Sequence, residues 1–204
     1  MTVAATHDDD KPISNFTVRM VLETLHELDP READNLVRQA GLERMLTAPH
    51  GDQDPPILRT SELAKLYATV FKLTGETLTR VFLSNYGHKM APMLLKHPEM
   101  VKRAEDAKSV PADKRIGWAV REIQAFLSGI WADVSLREDG EAYYLEIEHC
   151  PICANIQGTR GPICASSEFL YTALARALIG QRVSFIEHAC RANGAAMCSY
   201  RLRK

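Results

Sequence analysis

Apolar residues recur every three or four positions along most of the first 130 residues, and this spacing predicts a series of amphipathic helices. The first helix covers residues 16–28 and should end at Asp29-Pro30. That pair also offers an N-cap and a first-turn proline to a second helix, which should end at Gly41. The clearest apolar face follows Pro111 and comprises Ile116, Ala119, Val120, Ile123, Phe126, Leu127 and Ile130.

The middle of the helical part is punctuated by glycine and proline. Residues 48–56 are rich in proline, glycine and aspartate and therefore predict a connection. Thr60 or Ser61 can cap a third helix, and Gly75 marks its end. Helical spacing then continues to about residue 107, with breaks expected near Gly87, Pro92 and Pro98.

The period of the pattern changes from helical to alternating after residue 133. Residues 134–147 predict two strands joined by an Asp139-Gly140 turn, with Tyr143, Leu145 and Ile147 pointing inward together. A one-faced helix over residues 169–178 and a second hairpin over residues 182–203 follow. That helix should end at Gly180, and that hairpin should turn at Asn193-Gly194.

This order of elements predicts an α+β fold. N-terminal helices should be followed by an antiparallel sheet, built as strand-strand-helix-strand-strand and covered by helices. We expect a disordered tail at residues 1–12, which are polar and carry three consecutive aspartates. A helical part at 13–111 and an α+β part at 112–204 should then form one compact domain, because a chain of this length needs only one core.

Charge and hydropathy narrow the range of functions. The chain has 25 basic and 26 acidic residues spread along its length, which disfavours a nucleic-acid partner. No window approaches the ~20 apolar residues of a membrane span, and residues 1–10 lack the pattern of a secretion signal. We therefore expect a cytoplasmic protein with reduced thiols.

The cysteines are the main candidates for chemistry. All five lie between Cys150 and Cys198 and include a C-x-x-C pair, a pattern that fits metal ligation better than a secreted disulfide framework. Zinc prefers four ligands drawn from thiolate, imidazole and carboxylate groups. The last quarter of the chain offers such groups, so its fold is predicted to contain a zinc site.

The final hairpin must satisfy two geometric conditions to hold a metal ion. A three-residue loop with Gly194 in the left-handed conformation would place Cys190 opposite Cys198, so that both sulfurs reach one ion. Glu187 lies three residues before Cys190 and would face the other side of a regular strand. The metal interpretation therefore predicts a bulge or an early strand end near Glu187.

The spacing of these residues resembles the zinc motif of the 4-vinyl reductase domain family. That family includes the sensor domains of phenol-responsive activators and belongs to a ligand-binding superfamily of NO-signalling and Golgi-transport proteins. The resemblance covers roughly residues 115–203. It rests on the segments Tyr143-Tyr144-Leu145-Glu146, Cys150-Pro151-Ile152-Cys153, Pro162-Ile163-Cys164, Phe169-Leu170, Glu187-His188-Ala189-Cys190 and Gly194 through Cys198-Ser199-Tyr200.

The resemblance implies a ligand set and an assembly. Cys164, Glu187, Cys190 and Cys198 would bind a structural zinc, and the chain would form a homodimer with a buried apolar pocket beside the sheet. The phenol sensors lack the C-P-x-C pair, whereas subgroups linked to bacterial photosynthesis and hydrocarbon binding carry it. This chain resembles the latter more closely.

Cys150 and Cys153 allow a second arrangement. Together with Cys164 they could hold zinc or an iron-sulfur cluster, with His149 or a partner subunit filling the fourth position. A tight turn with two free thiols is the simpler alternative. His188 lies within the zinc segment, but we interpret it as an exposed strand residue.

Three roles follow from these features. The favoured one is a binding module, a sensor or carrier, whose pocket takes a hydrophobic aromatic, acyl or tetrapyrrole-like molecule. The alternatives are an accessory protein or reductase in (bacterio)chlorophyll vinyl-group reduction, an iron-sulfur redox protein, and a structural subunit. A closed zinc leaves no position for activated water and so disfavours catalysis.

Candidate pocket residues are those that fall on inward faces, although each could equally be plain core. If the protein is a sensor, a separate protein partner must carry the signal. The candidate pocket residues are Trp118, Phe126, Trp131, Tyr143, Leu170, Leu174 and Phe185.

Overall fold

A computed structural model of the chain describes residues 10–47, 51, 53–130 and 134–204. The N-terminal part is helical, as predicted. Asp29 accepts hydrogen bonds from the backbone N–H groups of Arg31 and Glu32 at 3.0 and 3.2 Å, which confirms it as an N-cap. The helices of this part are α1 (Asn15–Leu28), α2 (Pro30–Gln39), α3 (Thr60–Leu95), α4 (Pro98–Asp106) and α5 (Ala112–Ile130).

A short strand pair precedes α3 and was not predicted. Strand β1 (Pro12–Ile13) pairs antiparallel with β2 (Leu58–Arg59). Asp10 Oδ1 accepts hydrogen bonds from Ser61 N at 2.9 Å and from the Thr60 hydroxyl at 3.0 Å. Residues 10–12 are therefore ordered by pairing and capping, and the predicted tail is wrong there. Residues 1–9 lie outside the described ranges.

The same contacts correct the predicted start of α3. Thr60 is the first helical residue and Ser61 the second, so neither is the N-cap. The exposed amide of Ser61 is satisfied by Asp10, a side chain about fifty residues earlier in the chain. A cap donated across such a distance leaves no local sequence pattern.

Two of the predicted breaks in the helical part are wrong. The chain does kink at Gly75, whose φ of 79° is left-handed, and α4 does begin at Pro98. Gly87 and Pro92, however, lie inside α3. Gly87 is needed for packing: a Cβ atom placed there would lie 2.7 Å from the backbone oxygen of Ser166.

The C-terminal part contains the predicted antiparallel sheet. Helix α6 (Ala165–Ile179) separates the two hairpins and ends at Gly180, as expected. Within the described ranges the sheet has four strands in the order β3-β4-β6-β5. They are β3 (Val134–Glu138), β4 (Ala142–Ile147), β5 (Ile186–Ala189) and β6 (Cys198–Arg203).

The first hairpin turns where the sequence indicated. Asp139 Oδ1 accepts hydrogen bonds from the N–H groups of Glu141 and Ala142 at 2.9 and 2.8 Å, which stabilises the turn. On β4, Tyr143, Leu145 and Ile147 are all buried. Their alternation along the strand places them on the helix-covered face, as predicted.

Packing proceeds in layers from the sheet outward. Helices α5 and α6 pack together and on the sheet side, α3 packs extensively on α6, and α1 and α2 pack on α3. Leu174 on α6 is fully buried between these layers. Among the described residues, no helix combines the length and the apolar character needed to cross a membrane.

Candidate metal centre and the adjoining apolar cavity

Three chain segments bring the cysteines together. The turn after β4 carries Cys150 and Cys153, and Cys164 is the N-cap residue of α6. Cys190 and Cys198 lie at the two ends of the connection between β5 and β6. All five are buried, with exposed fractions of 0 or 1 %.

A β-bulge turns Glu187 toward this cluster. Glu187 pairs with Tyr200 and Ala189 pairs with Ser199, so His188 is an extra residue on β5. Because the bulge offsets the strand alternation, Glu187 and Cys190 are both buried although three residues separate them. The bulge predicted from their odd spacing is confirmed.

The predicted three-residue loop of the final hairpin is wrong. The strands are joined by residues 190–197, which contain a 3₁₀ turn at Arg191–Asn193. Gly194 does adopt the predicted left-handed conformation, with φ of 96°. Ala195 N donates to Cys190 O at 3.2 Å and closes the turn. The longer connection still places Cys190 Sγ 4.0 Å from Cys198 Sγ.

The four residues expected to bind zinc form one compact set. Single ligand atoms of Cys164, Glu187, Cys190 and Cys198 all lie within 4.8 Å of one another. Cys164 Sγ is 3.9 Å from Cys190 Sγ. Zinc–sulfur bonds of ~2.3 Å in a tetrahedral site imply sulfur–sulfur separations of about 3.8 Å. The cluster therefore has the dimensions of a single-ion site.

Glu187 tests whether a cation fits. Its Oε2 accepts a hydrogen bond from Cys164 N at 2.8 Å, whereas its buried Oε1 has no hydrogen-bond partner among the described residues. Burial, and secondarily the charge of Cys190, raise the pKa of Glu187 to about 10. A buried carboxylate oxygen without a partner is costly unless a cation pairs with it. The site therefore fits a metal ion.

A second set of possible ligands overlaps the first. Cys150, Cys153, Cys164 and Cys198 also lie within 4.8 Å of one another. Cys150 Sγ is 3.7 Å from Cys164 Sγ, and Cys153 Sγ is 3.3 Å from Cys198 Sγ. An iron-sulfur cluster places sulfide and several irons between its thiolates, so it needs wider spacing than these distances. The geometry favours single ions here too.

Neither histidine near the cluster belongs to a ligand set. His188 is exposed and its ring lies 6.1 Å from that of Tyr144, on the other side of the bulged strand from Glu187. The expectation of an exposed strand residue is confirmed. His149 is also exposed and is absent from both groups of candidate ligands among the described residues.

A small apolar cavity adjoins the metal centre. Its volume is about 10 Å³, room for about one water molecule. One wall is formed by the cysteine turn and another by α6. Its lining residues are Leu127, Val134, Ile147, Cys150, Pro151, Ile152, Ser167, Leu170 and Tyr171.

The predicted pocket residues occupy the core but do not all converge. Leu170 lines the cavity. Phe126, Tyr143, Leu174 and Phe185 are buried, and Trp118 is partly buried against the core. Trp131 lies outside the described residues. The sequence missed Tyr171, which lines the cavity and stacks edge-on against Tyr200 at 4.9 Å. Its place in an apolar helical repeat could have suggested it.

A much larger surface groove was also not predicted. It has a volume of about 900 Å³ and is open to solvent. Arg160 N donates to Glu76 Oε2 at 3.0 Å across it. The lining residues are Glu76, Thr77, Arg80, Val81, Ser84, Asn85 and Arg160.

With this geometry in view, the C-terminal third of the chain can be compared with known domains. Residues 143–204 match the 4-vinyl reductase domain. The matched segment begins in β4 and includes every cysteine and Glu187. It confirms the resemblance to the 4-vinyl reductase domain family over those residues.

Solved structures resemble a larger part of the chain. One, from work on heme distortion in the H-NOX family, is 11 % identical, covers 94 % of this chain and 93 % of its own, and has a TM-score of 0.53. The likeness concerns the fold. The phenol-responsive sensory domain of the transcription activator PoxR, solved with phenol, is 14 % identical, covers 82 % and 89 %, and has a TM-score of 0.43. No curated protein sequence matches the chain.

Proposed function

We propose that this chain is a small-molecule-binding domain, a sensor or carrier, in which a zinc ion stabilises the wall of an apolar ligand pocket. The match to the 4-vinyl reductase domain supports a domain of this type. The observation that carries the proposal is the contact between the two sites: Cys150 belongs to a candidate metal-ligand set and also lines the cavity. Changes at the pocket can therefore reach the metal centre directly.

The proposed zinc ligands are Cys164, Glu187, Cys190 and Cys198. Such an ion would join the start of α6 to both strands of the final hairpin. Four protein ligands close the coordination sphere, so its contribution is structural rather than catalytic. The lone Glu187 Oε1 supports this role, because a cation would satisfy it.

The pocket in this structure is closed. A cavity of about 10 Å³ cannot hold an aromatic, acyl or tetrapyrrole-like ligand, since ligand pockets are typically of several hundred Å³. Binding therefore requires α5 and α6 to separate from the sheet. The lining side chains Leu127, Val134 and Leu170 would then form apolar walls, while Ser167 and Tyr171 would offer polar contacts.

A hydrophobic ligand and a second copy of the chain are the partners that we propose. A cytoplasmic location and a downstream protein partner complete the proposal for a sensor. A carrier would instead deliver the bound molecule. Mass measurement of the native protein distinguishes monomer from dimer and reveals any retained ligand at the same time.

Ligand binding can be tested with a blocked cavity. We would record native mass spectra of the protein, both as purified and after addition of phenol, decanoic acid or protoporphyrin IX. Leu170→Trp fills the cavity and should abolish the added mass. Leu78→Trp is the control, because Leu78 is 54 % exposed and remote from the cavity lining.

Two results would contradict the proposal. Binding of all three probes could be undetectable in a wild-type protein that is folded and contains metal. Alternatively, Leu170→Trp could bind a probe as well as Leu78→Trp does, which would place the ligand elsewhere. Circular dichroism of both variants establishes that each has folded.

A further inference from the structure

Cys150 and Cys153 have no role in the single-zinc site, yet they are as deeply buried as the residues that do. Each adjoins a different proposed zinc ligand: Cys150 lies beside Cys164 and Cys153 lies beside Cys198. The C-x-x-C spacing itself is typical of metal-binding pairs. The pair therefore calls for a second function.

We propose that the centre is dinuclear, with a second thiophilic divalent ion bound by Cys150 and Cys153 and with Cys164 and Cys198 bridging the two ions. This inference rests on the proposed zinc site, because both bridging thiolates belong to it. The second ion would be terminally bound by two sulfurs, and the zinc by Cys190 and Glu187.

The overlap of the two ligand sets carries this inference. Among the described residues, one set holds Cys150 and Cys153 and the other holds Glu187 and Cys190, while Cys164 and Cys198 belong to both. Two four-coordinate ions need eight ligand positions. Four terminal ligands and two bridging thiolates fill all eight, so neither ion needs water or a partner chain.

The distances agree with two tetrahedra that share an edge. In the set around the second ion, Cys150 and Cys153 lie 3.7 and 3.3 Å from the shared Cys164 and Cys198, respectively. In the zinc set, Cys190 lies 3.9 and 4.0 Å from the same two sulfurs. All four separations are close to the edge of about 3.8 Å expected for tetrahedral thiolate coordination of zinc.

Charge also favours two ions over one. Burying thiolates without a compensating cation is unfavourable, so Cys150 and Cys153 would have to remain protonated beside a single zinc. Two divalent ions allow all five cysteines and Glu187 to ionise, and the released protons leave to solvent. Thiolate ligands select zinc, cadmium or cobalt(II) over magnesium or calcium, which defines the suitable probes.

Cadmium titration of the full chain tests the proposal. Metal-stripped protein in an anaerobic, thiol-free reductant would be titrated with ¹¹³Cd²⁺ and followed by native mass spectrometry and ¹¹³Cd NMR. We expect two equivalents per chain and two resonances, one from a four-sulfur site and one from a site with three sulfurs and one oxygen. Mutual splitting of the resonances would report the thiolate bridges.

Variants separate this proposal from the single-zinc site. Cys153→Ser should bind one equivalent and lose the four-sulfur resonance, whereas Glu187→Gln should keep the bridged pair and shift the mixed-ligand resonance. Cys150→Ala is a second variant for the case in which Cys153→Ser does not fold. One equivalent in the wild type, unaffected by Cys153→Ser, would overturn the dinuclear centre and leave the single-zinc site standing.

Other outcomes overturn both sites. Wild-type protein that binds no cadmium while remaining folded would contradict both. One equivalent with a four-sulfur resonance that survives in Cys190→Ser would show a single ion on the Cys150 and Cys153 side, contradicting the bridged pair and the proposed zinc set. Cobalt(II) gives an independent readout, because bridged ions couple magnetically and the paramagnetic signal per cobalt should fall with the second equivalent.

Discussion

At Gly87 the backbone of α3 lies directly against the backbone of α6. A Cβ atom there would lie 2.7 and 2.8 Å from the oxygen and Cα of Ser166, so a side chain cannot relieve the clash by rotating. Ser166 is only two residues from Cys164, a proposed metal ligand. The interface between the helical part and the metal centre thus depends on one missing methyl group.

We therefore expect Gly87→Ala to destabilise the protein by about 1–3 kcal/mol, the usual cost of overpacking. Gly129→Ala is the control, because Gly129 is an exposed residue in α5 and its added Cβ would have no described atom within 4 Å. This control should be neutral or slightly stabilising. Urea unfolding of both variants measures the difference, and equal midpoints would contradict the close contact.

The sulfur of Cys190 is the most direct single-residue probe of the zinc site, because Cys190 belongs to no other ligand set among the described residues. Cys190→Ser should destabilise the protein by more than about 4 kcal/mol, a range associated with loss of a structural metal. Ala196→Ser adds a hydroxyl to the same connection without removing a sulfur and should have little effect. Thermal unfolding with elemental analysis of each variant tests this.

An unchanged melting temperature with full metal content in Cys190→Ser would exclude Cys190 as a ligand. The sequence could identify Cys164, Glu187, Cys190 and Cys198 as a set through their spacing. It could not show that Cys153 approaches Cys198, because 45 residues separate them and only the register of the sheet brings them together.

At the scale of secondary structure, the connection between β5 and β6 positions two ligands at once. Gly194 occupies a left-handed conformation in which other residues are strained by about 1–2 kcal/mol. Gly194→Ala should therefore lower stability by about that amount and weaken metal binding. Gly161→Ala is the control, since Gly161 lies in a loop without a positive φ and its added Cβ would contact no described atom.

Competition with a chromogenic zinc chelator compares the two glycine variants. We expect Gly194→Ala to release zinc at a lower chelator concentration than Gly161→Ala and the wild type. Equal release would mean that the turn does not control the spacing of Cys190 and Cys198. Far-ultraviolet circular dichroism establishes that both variants keep the fold.

Local patterns predicted most of the elements and one irregularity. The bulge in β5 could be inferred because Glu187 and Cys190 needed to face the same side at an odd separation. The breaks near Gly87 and Pro92 could not be judged locally, because tertiary packing on α6 keeps α3 continuous through Gly87. The length of the final connection was also missed, since a 3₁₀ turn extends it beyond a tight hairpin.

At the scale of the whole molecule, α6 connects the metal centre to the helical part. Cys164 lies at its start, α3 packs along it, and β5 contacts it from the other side. Removing the metal should therefore weaken the entire domain rather than the final hairpin alone. The order of strands and the convergence of layers on α6 depend on long-range contacts and were not available from the sequence.

We expect a strong chelator to lower the melting temperature in one cooperative transition, whether it is followed by circular dichroism or by tryptophan fluorescence. The same treatment of Cys190→Ser should cause a much smaller shift, because that variant has already lost the zinc. Two separate transitions in the chelated wild type would instead show that the helical part is stable without the metal centre.

X-ray absorption at the zinc edge of the protein as purified tests the central claim most directly. We expect a sulfur shell at ~2.3 Å with an oxygen ligand at ~2.0–2.2 Å, and a zinc–zinc contribution if the second site is filled. A shell of light atoms alone, or no zinc in folded protein, would contradict a zinc centre built from Cys164, Glu187, Cys190 and Cys198.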